Sequence, residues 1–196
     1  LMPSAVEAIG SASTASASWL EYTGIPATYD QLIIVILARR YGNDNTAQGT
    51  NLAAQFRING SWCTDHAQTN WNAYYTSASA QSDSSDTEMF LARRFHAATY
   101  YNNNCTGGSA FAVLEVFNYH DNNSQTNDVI PYWKWQAMAP SPYKNDSSDG
   151  RMMRVAGGAV ANNASTFVPI DGFRIKSDSG VLGSPTKFTI YGVKYD

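Results

Sequence analysis

Residues 173–196 read FRIKSDSGVLGSPTKFTIYGVKYD. Phe173 and Ile175 alternate with Arg174 and Lys176, the period of two that a half-buried strand requires. Residues 177–185 are rich in Ser, Gly, Asp and Pro, which supply turn geometry. Alternation then resumes over residues 187–195, with Phe188 and Ile190 on one face and Thr189 and Tyr191 on the other. Gly192 breaks it where a bulge or a close backbone approach fits. The stretch therefore predicts two strands joined by a loop.

Similar segments recur upstream. Residues 32–38, LIIVILA, are apolar on both faces of a strand, which predicts a central strand covered on both sides. A buried helix is the rival reading, but the short run of β-branched residues favours the strand. Further strands are expected at residues 52–59, 88–95, 111–119 and 129–138, and weaker ones at 151–160 and 166–170. Pro131 argues for an edge position for the strand at 129–138. Residues 41–51, 120–128 and 141–150 read as loops. Residues 61–86 are long, polar and studded with Trp62, Trp71, Tyr74 and Tyr75, and are expected to hold a short strand or helix near 71–75. Eight to ten short strands with few helices predict an antiparallel β-sandwich, with a jelly roll as the leading version.

Residues 1–18 are rich in Ser and Ala and show no apolar face beyond Gly10, although residues 5–9 allow a helical turn. The chain is thus divided into an extended N-terminal arm, 1–24, and a single sandwich domain, 25–196. The arm is expected to be disordered or held by a neighbouring subunit. Trp19, Leu20 and Tyr22 either start the first strand and enter the core or anchor the arm at an interface.

At 196 residues the chain can bury about 70% of its unfolded surface without a metal or disulfide staple. Only 15% of residues are charged, well below the usual share. Glu7, Glu21 and Asp30 precede the first basic residue, Arg39, and the acidic and basic residues after Asp30 balance at 13 each. Without a basic stripe, nucleic acid is not an expected partner. No apolar run reaches the ~20 residues of a membrane span, and no basic stretch followed by an apolar core marks a secretory signal. Two cysteines, Cys63 and Cys105, are either bridged or free. A bridge would contribute roughly 4 kcal/mol on the chain-entropy model.

No catalytic, cofactor or metal pattern stands out. His66, His96 and His120 include two that adjoin an aspartate, in Asp65-His66 and His120-Asp121. Adjacent strand residues point to opposite faces, so neither pair makes a dyad. No HExxH spacing, Gly-x-Ser-x-Gly elbow or phosphate loop is present. Asp65, Glu88, Glu115 and Asp171 are too scattered to pick out a glycosidase pair. Glu115 shares a face with Phe111, Val113 and Phe117, so an internal face there would require a partner, most simply an arginine. Trp62, Trp71, Tyr74 and Tyr75, or Tyr132, Trp133 and Trp135, suit either stacking on sugar rings or packing in a core or interface.

The closing Phe-x-Ile and Phe188-Thr189-Ile190-Tyr191-Gly192-Val193-Lys194 resemble the C-terminal signature of a family of tailed-bacteriophage virion proteins. Ile25-Pro26-Ala27-Thr28-Tyr29-Asp30-Gln31-Leu32 and Arg57-Ile58-Asn59-Gly60 resemble two further motifs of that family, in the same order. The resemblance spans about residues 25–196 and implies a non-enzymatic structural protein on the outer surface of the virion. The expected role is a capsid decoration, or cement, protein, a homotrimer bound to the major capsid protein. The alternative is a glycan-binding receptor-recognition module of a tail or head fibre.

Overall fold

In this computed structural model the described residues are 3–44, 50–58, 60–73, 78–95, 97–100, 105–106, 109–119, 132–139, 152–160, 169–178 and 180–195. They form strands β1 (Pro3–Ala17), β2 (Trp19–Thr23), β3 (Gln31–Asp44), β4 (Thr50–Ile58), β5 (Ser61–Trp62), β6 (His66–Ala73), β7 (Ala78–Asp86) and β8 (Met89–Phe95). These are followed by β9 (Ala97–Tyr100), β10 (Cys105–Thr106), β11 (Ala110–Phe117), β12 (Tyr132–Ala139), β13 (Met152–Val160), β14 (Ile170–Ser177) and β15 (Leu182–Tyr195). No helix occurs among the described residues. The fold is the all-β sandwich that the alternation predicts.

One sheet has ten strands in the order β1-β15-β3-β11-β12-β13-β6-β7, with β9 and β10 attached beside β3. The other has five, in the order β2-β14-β4-β5, with β8 also paired to β4. Pairing is antiparallel except between β3 and β9. The terminal stretch supplies one strand to each sheet, β14 to the five-stranded sheet and β15 to the ten-stranded one. Phe173 and Ile175 face Phe188 and Ile190 across the interior, and all four are buried. Leu32, Ile34 and Ile36 of β3, Leu114 and Val116 of β11, and Trp133 and Trp135 of β12 line the larger sheet. Leu52, Phe56, Met89 and Leu91 meet them from the smaller one. Trp135 Nε1 donates to the Leu91 carbonyl at 3.1 Å, a hydrogen bond between the layers.

Several expectations need correction. Residues 3–17 are ordered within the chain itself. They are an edge strand of their own sheet, paired antiparallel along β15 from Pro3↔Tyr195 to Ala17↔Leu182. A ladder is made by the backbone, so a Ser/Ala strand can form without the apolar face whose absence argued against it. Residues 41–44 continue β3 instead of opening a loop. The polar stretch at 61–86 yields three strands, β5, β6 and β7. β12 lies between β11 and β13, not at an edge, because its ladder begins at Tyr132, after Pro131. β3 is central, but only one of its faces meets the opposite sheet; Ile33, Val35 and Leu37 on the other face are half-buried.

The second strand of the terminal stretch starts earlier than its alternation, at Leu182. Its register against β3 shifts between Gly183 and Lys187. Thr186 fills this bulge: its Oγ1 accepts from Arg39 N at 2.9 Å and lies within hydrogen-bond reach of the Arg39 carbonyl.

The inner-face assignment makes unequal demands on neighbouring residues. Phe188→Ala should cost about 3–5 kcal/mol in chemical unfolding, and Lys187→Ala and Thr189→Ala less than about 1 kcal/mol each. Similar small losses from all three would place the last strand outside the core.

Candidate interaction surfaces

Inner-face residues leave their neighbours in sequence on the two outer faces. On the ten-stranded sheet, β11 pairs with β3 in the register Phe111↔Leu37, Val113↔Val35 and Glu115↔Ile33. Cross-strand neighbours in one row share a face, so these residues form a mainly apolar outer strip. Ile33, Val35, Leu37, Val113 and Phe117 are half-buried, while Phe111 and Tyr132 are 44% and 47% exposed. The Phe117 and Tyr132 rings stack at 5.0 Å. Glu115 lies on this outer face, not in the interior. It is partnered by Lys134 Nζ at 3.0 Å and accepts from Gln31 Nε2 at 3.2 Å, so a lysine stands where an arginine was expected.

The outer face of the five-stranded sheet is different in kind. Glu21 and Trp19 of β2 pair with Arg174 and Lys176 of β14, and Gln55 and Ala53 of β4 flank them on the other side. The Arg174 guanidinium lies between two indoles, 3.8 Å from the Trp19 ring centre and 4.2 Å from that of Trp62. Its Nε donates to Gln55 Oε1 at 2.8 Å, and Nη2 donates to the same oxygen. Gln55 is buried and donates through Nε2 to the carbonyls of Cys63 at 3.1 Å and Thr87 at 2.7 Å. Lys176 pairs with Glu88, and Arg57 lies 3.6 Å from Asp171. Burial lowers the Arg174 pKa, against the opposing fields of Glu21 and Glu88.

Trp19, Leu20 and Tyr22 divide their roles. Leu20 is in the core, and Trp19 stacks on Arg174. Tyr22 donates from its hydroxyl to the Ile9 carbonyl of β1 at 3.2 Å, its ring against Gly10. A second tyrosine repeats the arrangement: Tyr29 lies on Gly192 and donates to Glu7 Oε2 at 2.6 Å. A Cβ on Gly192 would stand 2.3 Å from that ring, so the close-approach reading of this glycine holds. The register there runs without a bulge.

Trp133 and Trp135 are core residues and offer no platform for sugar. The side chains of Trp71, Tyr74 and Tyr75 lie outside the described residues, as do His96 and His120. His66 is buried beside Trp133, with ring centres 6.1 Å apart. Among the described residues no group of three or more His, Cys, Asp or Glu could hold a metal ion. Cys63 is a free, buried thiol, and the side chain of Cys105 lies outside the described residues. Burial, reinforced by the charges of Asp171 and Asp65, pushes its pKa up to about 12.

Sequence reasoning missed the stack of Trp19, Arg174 and Trp62 because its members come from three distant strands. The available signal was the outward parity of Arg174 against Phe173 and Ile175. The chain matches no family model, and no curated protein matches it.

Two measurements check these assignments. Gly192→Ala should destabilise the protein by about 1–3 kcal/mol, and much less in a Tyr29→Ala background, where the ring is gone. An equal cost in both backgrounds would show that the ring does not sit on the glycine.

For Cys63, a Cys105→Ser background leaves one thiol to report. The folded protein should resist iodoacetamide at about pH 8, because thiolate is the reactive form. The unfolded thiol ionises near its ordinary 9.0 while the folded one holds its proton to about 12, so its contribution to stability is lost as pH rises through that window. Fast alkylation of folded protein would contradict the buried, protonated thiol.

Proposed function

We propose that this chain is a non-enzymatic structural protein of a tailed-phage virion, a capsid decoration protein that stabilises the assembled head. The observation that carries the reading is the apolar outer strip of the ten-stranded sheet, Ile33, Val35, Leu37, Phe111 and Val113. Contiguous apolar surface on a sheet face suits burial against another protein. The sparse charge of the chain removes much of the desolvation cost of such contact. The resemblance of residues 188–194 to the virion signature supports the same reading. In the structure Phe188 and Ile190 are core and Gly192 receives a tyrosine ring, so these residues act as fold determinants.

The mechanism is mass action. A protein that binds only the assembled shell adds its binding free energy to that shell's stability. A homotrimer would place three copies of the strip around one attachment point and raise avidity without new contacts. A second reading, a glycan-binding module, draws on one observation: the exposed Tyr132 ring, backed by Phe117, offers an aromatic surface to a sugar.

Quantified bands from purified virions separate the readings, since a decoration protein is present in many more copies per particle than a receptor-binding module. Absence from the particle would reject both. On the protein itself, Phe111→Ser with Val113→Ser should shift stability by only about 1 kcal/mol at these outer positions, yet abolish co-sedimentation with undecorated capsids. Unchanged co-sedimentation would remove the strip from the interface. A binding loss confined to Tyr132→Ser, on glycan arrays and not on capsids, would favour the second reading.

A further inference from the structure

We propose that the outer end of Arg174 is a carboxylate-binding site that takes an acidic side chain of a protein partner. A guanidinium has five N–H donors in a planar fork. One edge of Arg174, Nε with Nη2, is committed to Gln55 Oε1. Its two faces are covered by Trp19 and Trp62. Gln55 is itself fixed by the Cys63 and Thr87 carbonyls, so the guanidinium is held in one orientation before any ligand arrives.

The opposite end, Nη1 with Nη2, has a different status. Its nearest anion is Glu21 Oε2, 4.0 Å from Nη1, beyond hydrogen-bond range. Glu21 is half-exposed and makes no closer contact with the guanidinium. Glu88 is engaged with Lys176, and Asp171 Oδ2 with Arg57 and the Gly60 amide, while Asp171 Oδ1 is buried without a hydrogen bond. Arg174 thus carries a partly buried positive charge without a hydrogen-bonded carboxylate among the described residues. Two indoles exclude water from its faces and strengthen any ion pair made at its end. The end-on fork matches both oxygens of one carboxylate.

The surroundings favour a protein side chain over a sugar acid. The indole faces nearest the charge are taken by the guanidinium, which leaves no ring there for a pyranose to stack on. A single arginine framed by tryptophans is the composition of a protein-interface hot spot. This face lies on the opposite side of the sandwich from the apolar strip, and the site does not depend on the virion reading.

The test is an NMR titration of the intact protein with N-acetyl-glutamate N-methylamide and, separately, with glucuronate. The reporters are the indole N–H signals of Trp19 and Trp62. The glutamate probe should shift both signals with one common saturation curve. Glu21→Gln, which removes the competing anion, should strengthen binding about threefold. Arg174→Lys keeps the charge but loses the fork, and should weaken binding about tenfold. No saturable shift in either wild type or Glu21→Gln would overturn the site. So would undiminished binding by a folded Arg174→Lys protein. Glucuronate binding as tight as the glutamate probe would overturn the assignment to a protein side chain.

Discussion

The two sheets are held together by a file of four rings, Trp133, Phe56, Phe173 and Phe188. Successive ring centres are 5.5, 5.5 and 5.3 Å apart, and the last pair meets edge to face. The outer two rings belong to β12 and β15 of the larger sheet, and the inner two to β4 and β14 of the smaller one. Each such contact adds about 0.5–1.5 kcal/mol beyond the area it buries. The greater consequence is parity. Once Phe173 and Phe188 point inward, a period of two forces Arg174 and Lys176 to one outer face and Lys187 and Thr189 to the other. A one-residue slip in either strand would put a charge into the core.

That parity explains what could be read in advance. β14, the Phe188–Ile190 part of β15, and β3 alternate or run apolar in ways that only a buried strand face accounts for. β11 is harder, because both of its residue sets are apolar: Phe111, Val113 and Phe117 against Ala112, Leu114 and Val116. Nothing local says which set is internal. The pairing with β3 decides it, and Glu115 falls outside as a result. β1 and β7 escaped detection, and β6 was expected only as a short strand or helix near 71–75, for a separate reason. Their Ser, Ala, Asn, Gln and Thr residues give little apolar periodicity, and backbone pairing with a neighbour supplies most of what holds them. The ring–guanidinium stack could not be read at all, since residues 19, 62 and 174 meet only through the ladders β2–β14–β4–β5.

β1 shows how the larger sheet manages its edge. A long flat edge strand invites pairing with other chains. Here the ladder with β15 is interrupted by three register shifts, and Tyr22 occupies the Ile9 carbonyl at one of them. Tyr29 reaches across Gly192 to Glu7 and ties the same strand down from the sheet surface. Tyr119 completes the corner: its hydroxyl donates to the Pro26 carbonyl at 2.8 Å and accepts from Tyr29 N at 3.1 Å. Glycine at positions 10 and 192 leaves room for the rings, and the rings replace the packing that glycine lacks.

The two outer faces therefore invite different kinds of contact. On the larger sheet, a protein bound as proposed would exchange water for its own surface over an area, and its affinity would follow how much of the Phe111 and Val35 strip it covers. On the smaller sheet most charges are already paired within the chain, so area adds little and would desolvate ion pairs at a cost. What that face can add is directional contact at a point where a donor set is incomplete, and Arg174 is such a point. A partner gripping both faces at once would have to reach around the sandwich. Under the two proposed contacts, each face would therefore take a separate neighbour.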